Sequence, residues 1–155
     1  MKLYLETSVP NMLFSAYVID KRETTERLFS LIQAGAHKAV VSSLYIDEIR
    51  ETPSILLRYQ LEGIVKLYGA EVIDVTEEAE QLADEYVKAE AFTENNYVDA
   101  LHVSIATYGK CDVVVSWNFR HIARAWTIKK VTEVNRRLGL PDIVICTPEE
   151  VVGDA

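Results

Sequence analysis

The sequence Tyr-Leu-Glu-Thr-Ser at positions 4–8 decides how the rest of this chain is interpreted. It ends an apolar run and leads directly into a carboxylate and two hydroxyl groups. Two later segments have the same character: Asp-Ala-Leu-His at 99–102 and Ser-Trp-Asn at 116–118. Each places a carboxylate or carboxamide beside the end of a predicted strand or helix. Such oxygen groups suit a hard cation of the kind that phosphodiester chemistry uses, so the pattern predicts a cation site.

Short runs rich in Val and Ile alternate with amphipathic segments along the chain. The strand candidates show little polar alternation, as in parallel strands buried on both faces: 2–5, 38–42, 71–75, 112–116 and 142–146. Helical patterns fill the intervals: 11–19, 22–34, 43–51, 53–67, 76–90, 96–108, a broken segment at 119–138, and a short helix that begins at the capping box Thr147-Pro148-Glu149-Glu150. This alternation predicts an α/β fold, a three-layer sandwich with a parallel sheet of about five strands.

Length and composition indicate one globular domain over residues 1–155, of which 49% are hydrophobic. We expect no membrane span, because no apolar run approaches the roughly 20 residues that a span needs. We expect no cleaved signal peptide, because strand-like residues begin almost at once. Cys111 and Cys146 lack metal-ligand spacing and predict small core residues in a reducing compartment, which indicates the cytoplasm.

The net charge of −8 is unevenly distributed. Residues 71–99 hold ten acids against Lys88 alone, whereas residues 120–137 hold six basic residues against Glu133 alone. Such asymmetry can attract a polyanion to one face of the protein and repel it from another. The alternative is that both stretches are ordinary solvated helix faces.

Four polar residues are expected to converge on one edge of the predicted sheet. Ligands of a parallel α/β sheet bind beyond the carboxyl ends of its strands. Glu6 follows the first strand, and Asn118 follows the fourth. Glu48 lies on the helix after the second strand, and Asp99 lies in the first turn of the helix before the fourth. Separate pieces of the sequence therefore predict one site.

Each acid also has a purely structural explanation. Glu6 could be a turn-forming acid near a helix start, where the helix dipole favours it. Helical periodicity places Glu48 on the flank of an apolar face, where it either points inward or keeps its head in water, and leaves Asp47 and Glu51 solvated. Asp99 shares a stripe with apolar residues and is expected to be desolvated unless it binds a cation or a hydrogen-bond donor, or serves only the helix N-terminus.

The remaining polar and aromatic candidates are weaker. Asn118 could offer its carboxamide oxygen to a cation or simply form a turn. His102 and His121 lack partners at metal-ligand spacing, so core or surface roles are favoured. Trp117 and Trp126 are expected to pack rather than to stack on bases.

Together these segments resemble the PIN domain family, small metal-dependent ribonucleases that include the VapC-type toxins of toxin–antitoxin pairs. The resemblance covers nearly the whole chain. It rests on Glu6-Thr7-Ser8 after the first strand, on Glu48, on the Asp99–His102 segment, and on Ser116-Trp117-Asn118 in place of the usual Thr-x-Asp. Two departures are present: the first acid is usually aspartate, and Asn118 replaces a fourth acid.

The resemblance implies a Mg²⁺- or Mn²⁺-dependent endoribonuclease that cleaves single-stranded or structured RNA by a metal-activated water. Its catalytic residues would be Glu6, Glu48, Asp99 and Asn118, with the first three holding the metal. Its substrate-binding residues would be four: Thr7, Ser116, Arg120 and Arg124. It also implies an antitoxin protein partner and a homodimer.

Two alternatives remain open from the sequence. One is a catalytically weak or inactive PIN-like domain that binds RNA or a protein partner, with Asn118 as its marker. The other is an unrelated doubly wound enzyme acting on a small phosphate ester. Against the latter, the chain has no Gly-rich phosphate loop and no Asp-x-Asp after the first strand.

Overall fold

A computed structural model describes residues 1–153, which fold into alternating strands and helices. The strands are β1 (Lys2–Leu5), β2 (Lys38–Ser42), β3 (Glu71–Ile73), β4 (Val113–Val115) and β5 (Val144–Cys146). The helices are α1 (Ser8–Met12), α2 (Ile19–Gln33), α3 (Ser43–Arg50), α4 (Ile55–Leu67), α5 (Glu77–Lys88), α6 (Tyr97–Tyr108), α7 (Ala125–Arg137) and α8 (Pro148–Val152), with a 3₁₀ turn at Glu94–Asn96 before α6.

The strands form one parallel sheet of five strands in the order β3-β2-β1-β4-β5. The register pairs Tyr4 with Val40 on one side and with Val114 on the other. The chain therefore builds outward from β1 to β3, returns across the sheet, and then builds outward through β4 to β5. This reversal between β1 and β4 is a topological switch point, where loops leave neighbouring strands in opposite directions.

Alternate residues of each strand supply two separate cores, one on each face of the sheet. Leu3 and Leu5 pack with residues of α2, α3 and α4. Tyr4 between them points to the other face and packs with residues of α5, α6 and α7. Because a strand directs successive side chains to opposite faces, a strand that is apolar throughout is buried on both. The predicted three-layer α/β sandwich is confirmed.

One predicted helix is wrong in its bounds. Residues 11–19 were expected to be helical, but α1 runs from Ser8 to Met12 and α2 starts only at Ile19. Pro10 occupies the first turn of α1, where its missing N–H is not needed, so the helix starts earlier than the apolar pattern indicates. The broken segment at 119–138 resolves into a loop followed by α7, and the capping box at Thr147 is present.

Gly109 ends α6 for a different reason from other helix-ending glycines. Gly35, Gly69 and Gly139 adopt positive φ after their helices, whereas Gly109 does not. A Cβ on Gly109 would lie 2.6 Å from Cδ1 of Ile73. An alanine at this position would therefore require the end of the Ile73 side chain to move.

Among residues 1–153, no helix combines the length and apolar character needed to cross a membrane. Residues 154–155 lie outside the described part of the chain. That residues 1–155 form a single domain stays a prediction.

Candidate active site

The candidate site lies at the carboxyl ends of β1 and β4, at the switch point of the sheet. The backbone N–H of Glu6 continues the sheet by donating to the carbonyl of Val115, at 3.1 Å. Glu6 leaves β1 and Ser116 leaves β4, so the two residues lie side by side although 110 positions separate them. The fold thus assembles the predicted site from segments distant in sequence.

The Glu6 carboxylate is buried and held by two serines. Its Oε2 accepts hydrogen bonds from the hydroxyl of Ser116 at 2.9 Å, from the backbone N–H of Ser8 at 3.1 Å, and from the Ser8 hydroxyl. Both serine hydroxyls also accept hydrogen bonds from the loop after β4. The backbone N–H of Trp117 donates to the Ser8 hydroxyl, and that of Asn118 donates to the Ser116 hydroxyl, each at 2.9 Å. All three donors use Oε2, so Glu6 is fixed in orientation while Oε1 has no hydrogen bond from residues 1–153.

This arrangement gives Ser116 a supporting position. Its side chain is fully buried, and its hydroxyl is committed to Glu6 and to the loop after β4. The predicted contact of Ser116 with substrate stays a prediction.

Thr7, also predicted to contact substrate, is buried beside Glu6, and its hydroxyl has no hydrogen-bond partner within residues 1–153. A buried hydroxyl without a partner is uncommon in proteins and is typical of a place that a water or ligand completes.

Asp99 is half-buried in the first turn of α6 and carries an uncompensated charge. No hydrogen bond or ion pair to its side chain is present among the described residues. Burial raises the pKa of Asp99, and the charge of Glu6 raises it further, although His102 and His121 partly oppose this. Glu48 adds a smaller effect in the same direction as Glu6. Glu6 and Glu48 are therefore each close enough to Asp99 to repel its carboxylate.

Glu48 is half-buried on α3, and the preceding Asp47 is exposed, as helical periodicity predicted. Its Oε1 lies 2.5 Å from Nε2 of His102, a contact between residues 54 positions apart. His102 is 1% exposed, and its Nδ1 lies 2.6 Å from the hydroxyl of Tyr4. Tyr4 also contacts the Ser42 hydroxyl at 2.8 Å. Both nitrogens of His102 are thus engaged, one with a candidate metal ligand.

Sequence reasoning gave His102 only a core or surface role. A signal was nevertheless available, because His102 lies three residues after Asp99 and therefore on the same side of α6. The partner of His102 could not be identified from the sequence, since the helix carrying Glu48 follows a different strand.

Asn118 caps the loop that follows β4. Its side-chain oxygen accepts the backbone N–H of His121 at 3.0 Å, and its carbonyl accepts the N–H groups of Ile122 and Ala123. This is the turn-forming role that the sequence offered as an alternative. The cap uses one of the two lone pairs of the carboxamide oxygen, so the predicted contribution of Asn118 to a cation site stays a prediction.

The donor set fits a divalent cation only in part. In favour, Glu6 and Asp99 are neighbouring carboxylates without a Lys or Arg partner among residues 1–153, and Thr7 has an unpartnered hydroxyl. Against a fully formed site, no three His, Cys, Asp or Glu side chains within 1–153 are arranged to hold a metal ion. Mg²⁺ is commonly bound through one or two carboxylates with several retained waters, which matches the pair Glu6 and Asp99.

The basic stretch divides into paired and unpaired residues. Arg136 forms an ion pair with Asp142 at 3.2 Å, and Arg137 forms one with Glu85 at 3.3 Å. In contrast, Arg120 and Arg124 are exposed and form no ion pair within the described chain. They line a pocket with five further residues: Ala91, Phe92, Thr93, Asn96 and His121.

The fold defines the class of structure: it is a PIN-like α/β fold, similar to that of a solved VapC protein. A solved structure similar to this chain is VapC20 of Mycobacterium tuberculosis, a toxin that cleaves the sarcin–ricin loop. The two share 17% sequence identity with a TM-score of 0.57, and the match covers 72% of this chain and 86% of VapC20. The sequence matches no family model and no curated protein.

Proposed function

We propose that this protein is a divalent-metal-dependent endoribonuclease of the toxin–antitoxin type, acting on single-stranded or structured RNA. One observation carries the proposal. The half-buried carboxylate of Asp99 lies close enough to Glu6 for that charge to raise its pKa, at the switch point of a PIN-type fold, and neither carboxylate has a Lys or Arg partner among residues 1–153. Placing like charges together in a partly desolvated site is unfavourable unless a cation is bound there.

Glu6 and Asp99 would hold Mg²⁺ or Mn²⁺, and Glu48 would either hold it or orient the attacking water. When bound, such an ion lowers the pKa of a water and neutralises charge that develops on the phosphate. Glu6 is suited to a fixed ligand because two serines hold one of its oxygens and leave the other available. Asp99 is suited to a ligand because its carboxylate has no competing protein donor.

Arg120 and Arg124 would attract the RNA backbone to the site. Both are exposed, and their pocket also contains His121, which lies close enough to Asp99 to influence its pKa. Unpaired arginines bind phosphates in a sequence-tolerant and salt-sensitive way. The substrate would therefore pass from this pocket across the carboxylates.

A second candidate function is a PIN-like domain with weak or no nuclease activity that binds RNA or protein. Three features favour it. Asn118 stands where the family has an acid, its oxygen already caps a loop, and the three acids are not arranged as a closed metal site within residues 1–153. Both candidates predict RNA binding, but only the first predicts cleavage.

The test is cleavage of two RNAs, with Mn²⁺ and with a chelator. One is a hairpin carrying the sarcin–ricin loop, the substrate of the structural neighbour, and the other is an unstructured RNA. We expect Mn²⁺-dependent cleavage of at least one, abolished by Asp99→Asn in a folded protein. A small phosphate ester serves as the control for the unrelated doubly wound enzyme.

Three outcomes separate the candidates. Binding of RNA without cleavage at any Mn²⁺ concentration would favour the inactive domain. Hydrolysis of the small ester without RNA cleavage would favour the unrelated enzyme. Wild-type cleavage rates in Asp99→Asn would remove that residue from the mechanism.

We also propose a protein antitoxin that inhibits by placing an Arg side chain among the carboxylates of Glu6, Glu48 and Asp99. Arg can bridge carboxylates in the place of a metal ion. Its binding should therefore compete with Mn²⁺ and weaken in Asp99→Asn. An affinity that ignores both changes would contradict this mode.

Homodimerisation and a cytoplasmic location complete the proposal. Large apolar side chains are exposed on α4, among them Ile55, Leu56 and Tyr59, and such side chains are common in protein interfaces. Sedimentation of the purified protein would give its oligomeric state. The free thiols of Cys111 and Cys146 suit a reducing compartment.

A further inference from the structure

A buried chain of hydrogen bonds connects the interior of the sheet to Glu48. It runs from Ser42 through Tyr4 and His102 to the Glu48 carboxylate, with heavy-atom distances of 2.8, 2.6 and 2.5 Å. Ser42 and Tyr4 are fully buried, and His102 is 1% exposed. Only Glu48, at 31% side-chain exposure, is open to solvent, and its charge acts on Asp99.

The protons that the four side chains carry decide which group donates in each of these hydrogen bonds. Glu48 as a carboxylate can only accept, so Nε2 of His102 must carry the proton between them. In neutral imidazole Nδ1 is then an acceptor, and Tyr4 donates to it. Ser42 donates to Tyr4, which satisfies every hydroxyl. The opposite direction would leave the Ser42 proton without an acceptor among the described residues, which is costly for a buried group.

The surroundings of Tyr4 support this direction. Burial raises the pKa of Tyr4, so its phenol stays neutral and brings a single proton to the chain, as the proton count assumes. The His102 ring also meets the Tyr4 ring edge-on, with centroids 5.7 Å apart, which restricts rotation of the imidazole. Tyr4 belongs to the central strand β1, so the orientation of His102 is set by a residue that the sheet holds on both sides.

We propose that His102 is a positioning residue for Glu48: its Nε2–H holds Oε1 and leaves Oε2 free for the divalent cation or its water. The inference rests on the proposed function, because it assigns the purpose of the contact to metal binding. Loss of a residue that hydrogen-bonds a metal-ligating side chain and orients it commonly weakens metal affinity about 10- to 100-fold. The purely structural alternative is that the contact only fastens α3 to α6.

A pair of substitutions separates the two roles. In His102→Gln, the side-chain amide nitrogen can occupy the place of Nε2 and still donate to Glu48. In His102→Asn, the shorter amide can still bond Tyr4 but cannot reach Glu48. Both variants bury an amide at the same position: the Gln variant keeps the contact with Glu48, and the Asn variant keeps only the contact with Tyr4.

We expect Mn²⁺ binding, measured by calorimetry without RNA, to stay within about threefold of wild type in His102→Gln and to weaken about tenfold or more in His102→Asn. Urea unfolding of both metal-free variants supplies the control for stability. Equal Mn²⁺ affinity in two folded variants would overturn the positioning role.

A measurement on the unaltered, metal-free protein tests the orientation independently. Long-range ¹H–¹⁵N spectra distinguish the two imidazole tautomers, and with three histidines in the chain the His102 signals are identified by their loss in His102→Gln. We expect a protonated Nε2 and an unprotonated Nδ1. The opposite tautomer would overturn the inference.

Failure of the proposed function would look different. If wild type binds no Mn²⁺, the metal centre and the positioning role fall together. If wild type binds Mn²⁺ but both variants bind it equally, only the role of His102 falls.

Discussion

The pairing of arginines in the structure allows a charge-matched test of the RNA-binding surface. Replacing Arg120 and Arg124 with Gln removes two exposed cations that have no ion-pair partner among residues 1–153. Replacing Arg136 and Arg137 removes two that are paired with Asp142 and Glu85. Both double variants shift the net charge from −8 to −10 by the loss of two positive charges. Any difference between them therefore reflects position and pairing.

The expected magnitude follows from the release of counterions. Each phosphate neutralised on a single strand contributes a slope of about 0.7 to the dependence of log K on log salt. Loss of two contacts should flatten the slope by about 1.4. Between about 50 and about 200 mM salt, wild type should then lose about sevenfold more affinity than the Arg120/Arg124 variant. The Arg136/Arg137 variant should keep the wild-type slope.

The assay is fluorescence anisotropy of a labelled single-stranded RNA in a chelator, which prevents cleavage, at several salt concentrations. Thermal melts check folding, because Arg124 also donates to the buried hydroxyl of Thr127 at 2.9 Å, a bond worth about 0.5–1.5 kcal/mol. An unchanged slope in the Arg120/Arg124 variant, or equal flattening in both variants, would refute the reasoning and place the RNA elsewhere.

Three further predictions concern single positions. Burial and a neighbouring carboxylate raise the pKa of Asp99, so its ionisation destabilises the folded protein at neutral pH, and this effect is absent below about pH 4. In thermal melts of metal-free protein, Asp99→Asn should therefore raise the melting temperature at pH 7 and change it little at pH 3. Asn118→Asp keeps an acceptor for the N–H of His121 and adds a negative charge to the site. A Mn²⁺ titration should then show tighter binding, RNA cleavage should be equal or faster, and the melting temperature without metal should be lower. Unchanged Mn²⁺ affinity and unchanged melts would leave Asn118 as a turn residue only. Gly109→Ala should cost about 1 kcal/mol or less in urea unfolding, because the new Cβ would lie 2.6 Å from Cδ1 of Ile73 and the end of that side chain can turn aside. A loss of about 3 kcal/mol or more would mean that Ile73 cannot move.

The sequence by itself determined the class of fold and the order of its elements. Strands apolar on both faces, separated by amphipathic helices, leave a parallel sheet covered on both sides as the arrangement that buries them. It also placed Glu6 after β1 and Asn118 after β4, and helical periodicity placed Glu48 on the flank of an apolar face and Asp47 in solvent. These are local properties, set by side-chain period and by position relative to strand ends.

Only the tertiary structure decided which of these groups touch. The hydrogen bond from Ser116 to Glu6 spans 110 positions, and the contact of His102 with Glu48 spans 54. Both depend on strand order, which places β1 between β2 and β4 and which side-chain periodicity does not encode. The same holds for the arginines: Arg120 and Arg136 are equivalent charges in the sequence, and only packing against Asp142 neutralises one of them. Residues that look equivalent in the local sequence pattern therefore differ in the folded protein because of their contacts with residues distant in sequence.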